Sequence, residues 1–139
     1  MIKLASTSSN NTQIYKFEID NDIELEFIMQ DEVFTPTGTS DLIIKAVRDN
    51  LLLPGKLLDM GCGAGINGIT LNKLGLVKGP IFASDISSKA VHCAKENAKL
   101  HKCAINAREG SLFEPWYGET FDYIINDVSG GANAVAQIS

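Results

Sequence analysis

Disulfide-type cysteine spacing is absent: the three cysteines, Cys62, Cys93 and Cys103, are odd in number and contain no Cys-x-x-Cys pair. That argues against a disulfide framework and points to a reducing, cytosolic compartment. Also missing is any apolar run approaching the roughly 18 residues of a membrane helix. Met1 to Asn11, rich in Ser, Thr and Asn, has no apolar segment of the kind a secretory leader carries, so neither lipid nor export is expected. Basic residues are in the minority, 12 Lys and Arg against 17 Asp and Glu, for a formal charge of −5. A broad electrostatic grip on nucleic acid is therefore not indicated, although a local basic patch remains compatible with that balance. The sequence shows no internal repeat, no low-complexity tract and no charge block.

What is present is enough for one α/β domain: 139 residues, 45% of them hydrophobic, can bury a core without metal or disulfide. Ile14, Tyr15 and Phe17, then Ile23, Leu25 and Phe27, alternate with polar residues on either side of Asn21-Asp22. This pattern predicts a β-hairpin with an Asx-type turn. Phe34 to Thr39 reads as a loop, and Leu42, Ile43, Ala46 and Val47 recur at helical spacing with Thr39 or Ser40 as N-cap. After Pro54-Gly55 the period changes. Strands are predicted at Leu57 to Met60, Ile81 to Ser84, Ala104 to Arg108 and Phe121 to Asn126, with helices at Ile66 to Leu74 and Ser87 to Leu100. Strand alternating with helix implies a doubly wound, Rossmann-like parallel sheet. Residues 1–50 form the hairpin and helix that pack on a core at 51–139. The last strand has adjacent Ile124 and Ile125, the pattern of burial on both faces, yet only a short tail follows. The expectation is a sheet lacking its C-terminal strands, or an edge covered by another chain.

The strongest chemical signal is Asp59-Met60-Gly61-Cys62-Gly63-Ala64-Gly65, where a strand gives way to a helix. Glycines at such a turn let the chain reverse tightly and let a ligand approach the backbone and the free N–H groups of the helix start. A plain Gly-rich turn is the alternative. Asp85 ends the next strand, where a carboxylate can accept two hydrogen bonds from ribose hydroxyls or simply cap the following helix; paired with the glycine turn, the ribose role is the better fit. A dinucleotide fingerprint would need glycine at position 66, which is Ile66 here. A pyrophosphate fits poorly, and a cationic sulfonium cofactor gives Asp59 a partner in its ammonium group.

In order and spacing, Leu57 to Gly65, Ile81 to Asp85, Arg108 to Phe113 and Phe121 to Gly130 resemble the sequential motifs of class I S-adenosylmethionine-dependent methyltransferases. The resemblance implies that Gly61, Gly63 and Gly65 line the methionine part of the cofactor, that Asp85 binds its ribose and that Ile86 packs on adenine. Glu32-Val33-Phe34-Thr35-Pro36 and Gly110-Ser111-Leu112-Phe113-Glu114-Pro115 are similar to the HemK and small-domain type. Ser111, with Leu112 beside it, stands where those enzymes place an Asp near the adenine amino group. Their Asn-Pro-Pro-Tyr after the fourth core strand is replaced by Asn126-Asp127-Val128-Ser129-Gly130. The stacking platform for a planar nitrogen is gone, leaving Asn126 and Asp127 as the catalytic candidates. Asp127 would act as base or hydrogen-bond partner to the acceptor, or merely cap the tail loop. The implied activity is methyl transfer from S-adenosylmethionine to protein or RNA, with a small molecule as a further substrate class. A non-catalytic cofactor-binding or partner-binding module and a nicotinamide-dependent oxidoreductase are the rival readings.

His92-Cys93 and His101-x-Cys103 do not make a zinc site, because neighbouring residues on a helix point in different directions. Cys93 is expected to pack as a small apolar residue, and His101 to sit at a helix C-terminus. Trp116 and Tyr117 are expected either to stack on substrate or to pack over the sheet. Cys62, inside the turn, is a candidate for alkylation that would report cofactor binding.

Overall fold

The computed structural model describes residues 2–7, 12–19, 23–30, 33, 38–50 and 53–126. The period-two pattern at the N-terminus does make a hairpin, β2 (Thr12–Ile19) against β3 (Ile23–Gln30), with Tyr15 opposite Phe27 and Phe17 opposite Leu25. Tyr15, Phe17, Ile19, Phe27 and Met29 thus share one buried face. A third strand, β1 (Ile2–Thr7), pairs with β2 and makes the sheet three-stranded, order β1-β2-β3. It falls in the Ser- and Thr-rich lead-in, with Ile2 and Leu4 opposite Phe17 and Tyr15. Two apolar positions in a Ser- and Thr-rich stretch are too short a run to declare a strand.

Helix α1 (Gly38–Asn50) starts before Thr39 and Ser40, so both lie in its first turn rather than at the N-cap. Its buried side chain is Ile44, with Ile43 and Val47 half-buried and Leu42 and Ala46 exposed. The stripe is therefore 43, 44 and 47: of the four expected positions Ile43 and Val47 face the core, while Leu42 and Ala46 do not.

The core alternates as expected: β4 (Leu57–Met60), α2 (Ile66–Lys73), β5 (Ile81–Asp85), α3 (Ser88–Leu100), β6 (Ile105–Glu109), a 3-10 turn at Glu114–Trp116, and β7 (Tyr123–Asn126). All the pairings are parallel and the order is β6-β5-β4-β7. Alternate strand residues divide the sheet's two faces. Leu57, Ile81, Ala83 and Ile125 join the core with Ile69, Leu71, Ala90 and Ala94 of α2 and α3. Leu58, Met60, Phe82 and Ile124 face the other way, under Trp116 and Phe121. From Ile66 to Leu71, α2 is buried on every side. β7 begins at Tyr123 rather than Phe121, because Phe121 packs edge-on to Phe82 and Trp116 and Asp122 accepts a hydrogen bond from the Lys56 N–H. Ile125 is buried and Ile124 half-buried; among the described residues β7 pairs with β4 alone.

The N-terminal sheet docks through its edge. Cys93, Asn97 and His101 recur every four residues along α3 and its C-cap, and each bonds to the backbone of β3. The Cys93 thiol donates to the Ile28 carbonyl at 3.1 Å, and His101 Nε2 lies 2.6 Å from the Glu26 carbonyl. Cys93 is thus more than an apolar filler, and His101 does more than complement the helix end.

Candidate functional site

Strands β4, β5 and β6 advance in one direction, whereas β7 returns to the far side of β4. In open α/β sheets that reversal opens a crevice at the carboxyl ends of the strands, where ligands bind. The glycine turn follows β4 at this place, and Asn126, paired with Met60, ends β7 beside it.

The turn is held by backbone and carboxylate. Gly61, Gly63 and Gly65 all have positive φ, at 74°, 53° and 86°. A Cβ on Gly63 would meet nothing within 4 Å, so the space above it is open; one on Gly65 would press on Ile69 and Ala94, at 3.2 and 3.3 Å. Gly65 therefore serves the approach of α2 to α3, and Gly63 the open side. The N–H groups of Gly61 and Cys62 both donate to the Ser84 carbonyl, at 2.8 and 2.9 Å. That anchor was not foreseen, since a main-chain carbonyl leaves no mark in sequence.

Asp85 is half-buried, and its carboxylate spans two elements: Oδ2 accepts the Gly63 N–H at 3.0 Å and Oδ1 the Ser87 N–H at 2.9 Å. It thus braces the turn and the start of α3, where Ser87 Oγ accepts the Ala90 N–H as N-cap. A carboxylate offers about four lone-pair positions, so each oxygen keeps capacity for a ligand hydroxyl.

Asp59 is 1% exposed, beneath the turn rather than on it. Its Oδ2 accepts the Gly68 N–H at 3.2 Å, in the first turn of α2, whose N-cap Gly65 brings no side chain of its own. A buried carboxylate at a helix N-terminus is favoured by the orphan N–H groups and the helix dipole. In this arrangement Asp59 reaches a ligand's ammonium group only through its field or an intervening water. Burial, followed by the charges of Asp59 and Asp85, pushes the Cys62 thiol well above its ordinary range. The thiol is buried as well as protonated, contrary to its use as an alkylation reporter.

Apolar side chains lie uncovered on the β5 and β6 side. Ile86, next to Asp85, is 73% exposed, and Leu112 is 62% exposed. The Gly110 N–H donates to the Asp85 carbonyl at 2.9 Å, which brings the Gly110–Leu112 segment alongside, with Ser111 exposed to solvent. Leu112 sits at φ 49°, an uncommon conformation for a bulky residue and one that clusters at ligand sites. Trp116 is buried over the sheet, the packing role, while its neighbour Tyr117 is 97% exposed. Asp127 lies outside the described residues. Among the described residues no cluster of His, Cys, Asp and Glu could hold a metal.

A family profile described as methyltransferase small domain matches residues 24–127. The chain belongs to that family. Among curated members, it is 28% identical over 103 residues to a release factor glutamine methyltransferase of Geobacter sulfurreducens, covering 74% of this chain and 36% of that protein. It is 34% identical over 91 residues to a ribosomal protein L11 methyltransferase of Lactobacillus gasseri, covering 65% and 28%. The chain thus spans about a third of the length of these relatives. A T. thermophilus 16S rRNA methyltransferase, solved with AdoMet and guanosine, superposes with a TM-score of 0.73 at 18% identity, over 94% of this chain and 37% of that one. That likeness is one of fold, and it takes in the mixed α/β arrangement of parallel core and N-terminal antiparallel sheet.

Proposed function

We propose that this chain binds S-adenosylmethionine at the glycine turn and takes part in methyl transfer to a protein or RNA acceptor. The observation that carries the reading is the open space over Gly63, whose N–H is held by the Asp85 carboxylate, with Ile86 next to Asp85 and Leu112 both uncovered. A nucleoside needs such a set: a carboxylate for its hydroxyls, apolar surfaces for its base, and room against the backbone. The cofactor supplies an electrophilic methyl group on a sulfonium.

The chain's own residues do the rest. Asp85 receives the ribose hydroxyls while keeping the turn in shape, Ile86 and Leu112 cover the adenine, and Ser111 offers a hydroxyl to its amino group. Asp59 leaves negative charge beneath the turn, suited to a cationic ligand. Asn126 ends β7 in register with Met60; to it and to Asp127 we assign alignment of the acceptor and sharing of its proton, which is what the transfer requires of a protein. The named relatives act on proteins, a release factor and ribosomal protein L11, and this favours a macromolecular acceptor over a small molecule. Among the described residues no helix is long and apolar enough to cross a membrane, and all three cysteines are free thiols, in keeping with the cytosol.

The test is transfer of a labelled methyl group from S-adenosylmethionine to ribosomal and release-factor protein on one side and to RNA on the other. Label on either class supports the reading. Cofactor binding without label on any acceptor would favour the non-catalytic module.

A further inference from the structure

The side chain of Asn97 is fully buried in the last turn of α3, between the glycine turn and the N-terminal sheet. One of its Nδ2 hydrogens goes to the Ala64 carbonyl, inside the turn, at 2.9 Å, and the other to the Ile28 carbonyl of β3 at 2.8 Å. Its Oδ1 accepts the Ile28 N–H at 2.6 Å. β3 is the last strand of its sheet, and an edge strand turns the N–H and C=O of every second residue outward, away from its partner. The Asn97 amide meets both groups of Ile28 as one residue of a further strand would, and spends its remaining donor on the turn. No other amino acid supplies two donors and one acceptor at this reach from the helix: Asp lacks the donors, and Gln is one methylene longer.

From this geometry we infer that Asn97 is a positioning residue that couples the glycine turn to the N-terminal sheet, so that cofactor binding and the seating of β3 support each other. The inference rests on the glycine turn being the cofactor site. Coupling between two sites is reciprocal: a ligand that fixes Ala64 fixes the amide, and the amide fixes Ile28.

The experiment is calorimetric titration with S-adenosylmethionine together with amide exchange, on the parent chain, Asn97→Ala and Asn97→Asp. In the parent, saturating cofactor is expected to slow exchange at the Ile28 N–H more than at the β2 amides; in Asn97→Ala that excess protection disappears and Kd rises about tenfold or more, as two carbonyls lose a buried donor. Asn97→Asp is expected to lose affinity at pH 8 and to regain part of it at pH 5, where a protonated carboxyl again donates one bond, while the parent shows no such recovery. A purely structural residue would alter overall stability without the local, cofactor-dependent signal at Ile28. Uniform protection, or a Kd for Asn97→Ala within twofold of the parent, would overturn the coupling. If the parent binds no cofactor, the functional reading fails first, and exchange in the free chain decides the coupling. Asn97→Ala must then quicken both the Ile28 and the Gly65 amides, and a change confined to one of them refutes it.

Discussion

The two faces of the parallel sheet are held together by different means. On the helix face, the glycine turn is fixed by hydrogen bonds to Ser84 and Asp85, the start of α2 by the Gly68 N–H bond to Asp59, and the side that meets a ligand is left empty over Gly63. On the opposite face, Phe82, Trp116 and Phe121 pack edge to face at centroid distances of 5.4 to 5.7 Å. Arg108 lies 4.4 Å over the Trp116 ring, and Lys56 lies over both phenylalanines. One face is organised around backbone polarity and vacancy, the other around aromatic contact. Substitutions should therefore separate: the first face governs binding, the second stability.

The sharpest separation is expected from Gly63→Val. A β-branched residue at φ 53° is strained by roughly 1–2 kcal/mol, but its larger effect is to fill the open space, so calorimetry should detect no cofactor binding by a chain that still melts cooperatively. Trp116→Ala should do the reverse, costing about 3–5 kcal/mol in urea denaturation while the folded fraction binds with the parent's Kd. Trp116→Phe sharpens the point: the indole Nε1 is buried without a hydrogen-bond partner, so removing it should cost much less than removing the ring. Asp85→Ala belongs to the first face, and loss of charge-assisted bonds should weaken cofactor binding by about 1–3 kcal/mol. A change in stability with unaltered Kd would instead make Asp85 a brace only.

The smallest effect concerns Cys62. Its folded value is raised above the ordinary 9.0, so the protonated thiol favours the folded chain. That contribution is intact below pH 9.0 and is lost as the pH climbs from there through the raised value. At pH 8 a thiol reagent should label Cys103, which is partly exposed, well before Cys62. Equal rates would mean that the turn opens readily in solution.

The parallel core was legible because its signals are local: runs of apolar residues between glycines, with boundaries moved by only a residue or two at β5, β6 and α2. Asp59, Asp85 and the three glycines fall together at the end of β4 and β5, as the spacing implied. Roles set by main-chain atoms or by distant pairing were not legible. The Ser84 carbonyl, the Gly68 N–H that draws Asp59 inward, and the pairing of β1 with β2 depend on residues brought together only by the fold. Asn97 leaves a trace, the four-residue spacing of Cys93, Asn97 and His101, but nothing in that spacing marks the edge of a strand as their partner.

The most direct test of the account is calorimetric titration of the chain with S-adenosylmethionine and with its demethylated product, with NAD as control. Saturable, one-site binding of the first two and none of NAD is the predicted result. A folded chain that binds neither, or that binds NAD alone, would contradict the assignment of the glycine turn.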